Sequence, residues 1–209
     1  MAHVATIDTR AQLLDAAEHL FAGRGYRGTS VRAITDRAGA NLAAVAYHFG
    51  SKAELWAAVA RRVIEPITAA QVAALDRLLT RTPDPAVADV VAAFVGPLFD
   101  EMPAGAESGA RTSRLIVTIL SDPAEETRDW TGPADDTVRD RFVAAFGHAL
   151  PGLPAEELWF RMRGILAVTA VDRVNLYNQR PSTSGSGEAA RGWAITFLAA
   201  AMSAPPTGT

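Results

Sequence analysis

The sequence predicts an all-α protein. Three observations lead there: apolar residues recur at spacings of three and four in segment after segment, no stretch alternates in the manner of a strand, and Pro or Gly marks the breaks between segments. With 209 residues, 49% of them hydrophobic, the chain can bury a sizeable core in one or two domains.

The first helix is expected over 9–25, where Leu13, Leu14, Ala17, Leu20 and Phe21 form one apolar stripe and Gly23 and Gly25 end it. Ser30 has the side chain to cap a second helix supported by Val31, Ile34 and Ala38, and Gly39 stops that helix. Asn41 is placed to cap a short third helix over 42–48, with Val45 and Phe49 four apart and facing Ile34. Ser51 with Glu54 three residues on is a capping box for a linker helix over 51–65, and Leu55 turns back toward the core. Pro66 is expected to bend or restart that helix, which then resumes to about residue 79. TPDP at 82–85 reads as a loop. Helices follow over 86–101, with a kink at Pro97, and over 108–120, 134–150 and 154–177. PSTSGSG at 181–187 is too polar to pack, and a final helix over 188–202 precedes a fraying tail.

Helix, Gly-containing turn and short second helix is the helix-turn-helix pattern, whose second helix enters the major groove of DNA. The formal charge of −3 divides in keeping with that reading: residues 1–52 carry a net +2 and the remainder −5. The one lysine, Lys52, stands at the end of the basic part. No cysteine is present, so disulfides and thiolate metal sites are excluded. No metal-ligand spacing, nucleophile–base pair or phosphate-cradling glycine run is found, and neither cofactor nor catalysis is expected. Ser186 lacks the preceding Gly of a GxSxG elbow, since Ser184 stands there. The acidic residues Asp122, Glu125, Glu126 and Asp129 suit helix starts and a solvated face better than a metal. No apolar segment of signal or membrane-spanning length appears, and a cytoplasmic location is expected.

The N-terminal quarter resembles the TetR-like transcriptional regulators. LFAGRGYRGTS, VRAITDRAGANLAAV and YHFGSKAEL correspond to that family's helix end, helix-turn-helix and following junction. The NLAAV variant before YHF further resembles a fatty-acid-responsive subgroup, although Ala46 stands where that subgroup has Asn. The resemblance implies a reading and linker unit over 1–65 and a larger helical effector-binding and dimerisation domain over 66–209. It also implies a dimer on a palindromic operator, with repression the family's commoner habit.

Thr29, Ser30, Tyr47, His48 and Lys52 form the expected phosphate set, with Ser30 also a cap and Tyr47 and His48 alternatively packed rings. Asn41, Leu42, Ala43 and Ala44 are expected on the groove side, where methyl groups meet thymine. Arg32 is the expected base reader, or else a solvated arginine. For the effector, a small amphipathic molecule such as a fatty acid or acyl thioester, the candidates are Phe94, Phe99, Leu115, Trp130, Phe142 and Phe146, which would otherwise be plain core, with Arg111 and Arg114 for a carboxylate or phosphate. For the subunit contact they are Trp159, Leu166, Val171, Trp193 and Phe197, on helices carrying more apolar surface than one stripe can bury.

Overall fold

The computed structural model describes residues 8–101, 107–121, 133–174 and 187–206, and every regular element among them is an α-helix. In order they are α1 (Thr9–Arg24), α2 (Val31–Ala38), α3 (Ala43–Phe49), α4 (Lys52–Arg81), α5 (Val87–Glu101), α6 (Glu107–Ser121), α7 (Pro133–Ala149), α8 (Ala155–Val174) and α9 (Gly187–Met202). Trp130, the acidic cluster over 122–129, the end of the 154–177 prediction and most of PSTSGSG lie outside the described residues.

Two corrections concern where helices begin and break. Asn41 does not cap α3: Leu42 occupies the cap position with no side-chain hydrogen bond, and Asn41 instead accepts through its backbone oxygen from Ala44 N at 3.1 Å. Pro66 neither ends nor restarts the linker helix, which runs unbroken for 30 residues to Arg81. Its pyrrolidine sits on an exposed position, while Val63, Ile67, Gln71 and Leu75 bury the opposite side. The missing N–H is therefore set against a continuous stripe of buried contacts. Pro97 also lies inside a continuous α5. In the turn before that proline the buried Gln71 side chain donates to Phe94 O at 2.8 Å, bonding α4 to α5.

The buried side chains form two clusters. The first joins α1–α3 and the start of α4 around Leu13, Phe21, Ile34 and Trp56, and it takes in Leu115, Ile116 and Ile119 from α6. The second lies among α4, α5, α7, α8 and α9, around Leu75, Phe142, Phe146 and Ile165. Leu166 is partly buried against both. Each fully buried large side chain contributes on the order of 1.5–3 kcal/mol. α6 thus belongs as much to the N-terminal unit as to the body. Arg62 on α4 adds charge to that junction, donating to Asp15 at 2.7 Å and to Glu18, while Arg111 of α6 lies 3.9 Å from Glu18. Burial works against the Arg62 charge, but hydrogen bonds to Glu18 and Asp15 and their Coulombic pull outweigh it, so its pKa stands above the ordinary value.

Candidate nucleic-acid interface

The N-terminal unit is built so that α2 and α3 present one face outward on a rigid base. α1 starts at Asp8, whose carboxylate accepts from Arg10 N at 3.0 Å and Ala11 N at 3.3 Å. Its buried stripe meets an aromatic group in which Phe21 and Tyr26 both approach Trp56 edge-on, with centroids 5.0 and 5.8 Å away. Ser30 caps α2 by accepting from Ala33 N at 3.1 Å. At the far end Gly39 adopts φ 65°, a left-handed conformation that costs a side-chain-bearing residue about 1 kcal/mol or more. Ala40 N then closes the turn on Thr35 O at 3.0 Å.

α3 follows at once, fixed from beneath by Val45 and Phe49, both buried in the first cluster. Arg10 lies 5.1 Å from the centre of the Phe49 ring, tying the start of α1 to the end of α3. Gly50, at φ 83°, turns the chain into α4, where Ser51 accepts from Glu54 N at 3.1 Å. Asn41, Leu42, Ala43, Ala46 and Tyr47 are exposed, Tyr47 to 85%. His48 is half-buried and meets Tyr47 edge-on at 4.9 Å. Lys52 lies at the edge of the same surface with its ammonium 4.1 Å from the Tyr26 ring centre. Arg32 projects from α2 with its side chain 85% exposed, 3.9 Å from Asp36.

Two of the expected contact residues face the other way. Thr29 is 1% exposed, and its hydroxyl donates to Gly25 O at 2.8 Å and Leu20 O at 3.3 Å. It ties the turn before α2 to α1, and its donor is already committed. Ala44 is 8% exposed and belongs to the first cluster, beside Val45 on the side that α3 turns inward.

The body rearranges the other two candidate sets. Phe94, Phe142 and Phe146 pack against one another, with centroids 4.8 and 6.4 Å from Phe94, and with Phe99 they fill the second cluster. Leu115 sits in the first cluster, Arg111 borders α1, and Arg114 is exposed. The apolar members are thus divided between the two buried clusters. Two clefts are formed by described residues. One, of about 350 Å³, lies where α4, the 82–86 loop and α7 meet, between Leu75, Leu79, Pro85 and Ala145, with Arg141 and His148 at its rim. The second, of about 330 Å³, is polar and lies between α1, α2 and α6, beside Gln12, Asp15, His19, Arg37 and Arg111.

On α8, Trp159 turns toward α7 under Arg139, whose guanidinium carbon is 5.4 Å from a ring centre, and Leu166 packs inward. The side chain of Val171 is outside the described residues. What α8 exposes instead is Phe160, at 69%, and Val168, while α9 exposes Trp193 and Phe197 at 63% and 62%. Phe160 was legible as a residue off the stripe formed by Leu158, Met162, Ile165 and Thr169, all of them buried. The sequence reading missed it by grouping the apolar residues of this helix without fixing their phase.

Comparison with known proteins gives one answer at both ends of the chain. Residues 13–59 match the model of the bacterial regulatory proteins of the tetR family, and residues 92–201 match the tetracyclin repressor-like C-terminal domain. The regulatory protein RaaS of Mycobacterium tuberculosis is 30% identical over 150 residues, 68% of this chain and 69% of RaaS. The repressor AcnR of Corynebacterium efficiens is 36% identical over 55 residues and the activator FasR of Mycolicibacterium smegmatis 41% over 58, or 26% and 28% of this chain. Those two matches span only 29% and 26% of the relatives' lengths. The fold is shared with the ketosteroid transcriptional regulator KstR2 of Mycobacterium tuberculosis, with a TM-score of 0.56 and 19% identity over 93% of this chain and 95% of that one.

Proposed function

Because this chain belongs to the TetR family of DNA-binding bacterial regulatory proteins, we propose that it acts as a homodimeric repressor that a small effector releases from a palindromic operator. The observation that carries the reading is the exposed face of α3, held on a unit whose other side is buried. A short helix of this kind offers few contacts, and two copies spaced by one turn of the duplex, about 34 Å, multiply its specificity.

In this reading Ser30, Tyr47, His48 and Lys52 contact phosphates on either side of one major groove. Arg32 reads a base edge, and Leu42 and Ala43 meet thymine methyls, with Asn41 beside them. Two copies meet through α8 and α9, where Phe160, Val168, Trp193 and Phe197 stand exposed on adjoining helices. Isolated exposed apolar residues are ordinary on a protein surface, but four large ones on two packed helices make a patch of the kind that pairs. The effector is proposed to be a small amphipathic molecule, a fatty acid or acyl thioester among the candidates. It favours an arrangement of the dimer in which the two α3 helices no longer match successive grooves.

Footprinting of the purified protein on the DNA upstream of its own coding sequence, over a series of salt concentrations, tests this. The expected result is a protected site with two inverted halves and an affinity that falls steeply as salt rises. Uniform weak binding without a protected site would overturn the operator reading, and a single protected half would overturn the dimeric one.

A further inference from the structure

Arg161, on the second turn of α8, uses its whole guanidinium on one task. Nη1 donates to Met202 O at 2.6 Å and to Ala204 O at 2.7 Å, and Nη2 donates to Pro205 O at 3.0 Å. Nη2 and Nε also reach the Glu157 carboxylate, one turn earlier, at 2.5 and 3.2 Å. All five N–H donors of the side chain are thereby engaged, in a fork that no other residue type reproduces. The Arg161 and Glu157 side chains are only 10% and 17% exposed.

Met202 O is one of the terminal carbonyls that α9 cannot satisfy within itself, and Ala204 O and Pro205 O belong to the segment just beyond. The contact also fixes direction: the start of α8 meets the end of α9, so the two helices run antiparallel. Met202 and Leu198, 1% and 2% exposed, anchor the same end of α9 in the second cluster beside Leu158 and Met162. Phe160, immediately before Arg161, is exposed, as are Trp193 and Phe197 on the partner helix.

We propose that Arg161 is the positioning residue of the α8–α9 face: it fastens the C-terminal end of α9 to α8 and so sets the rotation at which Trp193 and Phe197 are offered to a second copy of this chain. This rests on the dimeric reading above. Near its start α9 is tied to α5 by Arg191, which donates to Asp100 at 2.9 Å, and at its other end a planar fork bonded to three carbonyls within four residues resists a roll that the apolar packing of Leu198 and Met202 alone does not.

The test uses the full chain and three variants: Arg161→Met, which keeps an unbranched apolar stem and removes the donors, Arg161→Lys, and a chain ending at Ser203, which removes two of the acceptors without touching α8. Hydrogen exchange at the amides of residues 199–204 and the dimer dissociation constant from sedimentation are measured for each. We expect Arg161→Met to speed exchange there at least tenfold and to raise the dissociation constant at least tenfold. Arg161→Lys should recover part of both, and the shortened chain should resemble Arg161→Met. If Arg161→Met does not fold, the shortened chain carries the same expectation. Unchanged exchange and unchanged dimerisation in the shortened chain or in Arg161→Met would overturn the proposal, as would faster exchange with dimerisation intact. A monomeric wild-type protein would instead remove the dimeric reading on which the proposal stands.

Discussion

Arg32 and Thr29, three residues apart, show how differently neighbouring polar side chains are used. Arg32 is almost fully extended into solvent, and its 3.9 Å approach to Asp36 is a surface pair of little energetic weight, leaving the guanidinium available to a base edge. Arg32→Ala is expected to lower affinity by about 1–3 kcal/mol for the preferred operator and to relax sequence preference at one position in each half-site. Binding measured on a set of single-base operator variants decides it, since an equal loss on every variant would make Arg32 a phosphate contact. Thr29 has the same kind of donor as Ser30 but spends it inside, on Gly25 O and Leu20 O. Sequence supplied the chemistry of both residues. The direction in which Thr29 points depended on how the 25–29 turn folds back on α1, which no local pattern encodes.

At the scale of elements, caps and turns were the most legible features, because each is decided within four or five residues. Ser30, Ser51 and Gly39 behave as their types require. Gly39 has open space around its Cα, so a methyl group there meets no clash and only the left-handed backbone opposes it. Gly39→Ala is therefore expected to destabilise the protein by about 1 kcal/mol and Gly39→Asn by less, read as a shift in the denaturation midpoint. Equal losses for the two variants would mean that some feature other than φ constrains the turn. The prolines were less legible. Pro66 and Pro97 both lie within continuous helices, held there by tertiary contacts: a buried stripe in α4, and in α5 a run of buried residues with the Gln71 amide bonded to Phe94 O.

For the whole molecule, the division of the core matters most. α6 contributes Leu115, Ile116 and Ile119 to the N-terminal cluster, and Arg111 adds a charged contact to α1, so the body and the reading unit share packed side chains. At the opposite side, the exposed residues of α8 and α9 define the surface proposed to pair. Changing Phe160 and Trp193 together to Ser is expected to leave helix content unchanged, since neither is buried, while shifting the protein to monomer and weakening operator binding at least tenfold. Sedimentation and mobility-shift titration check this together. A dimer that persists in the double variant would place the pairing surface elsewhere.

The sequence by itself determined the all-α class, the ends of the second and third helices to within a residue or two and much of the side-chain chemistry of the outward face. Those follow from periodicity and capping, which act over one or two helical turns. Only the tertiary structure decided which apolar residues fill core and which remain outside. Phe94, Phe142 and Phe146 pack against one another in the second cluster, and Phe160, next to the half-buried Trp159, faces outward. The reason is geometric: a helix's phase relative to its neighbours is set by packing among segments far apart in the chain, and a rotation of one residue, 100°, exchanges the inside for the outside.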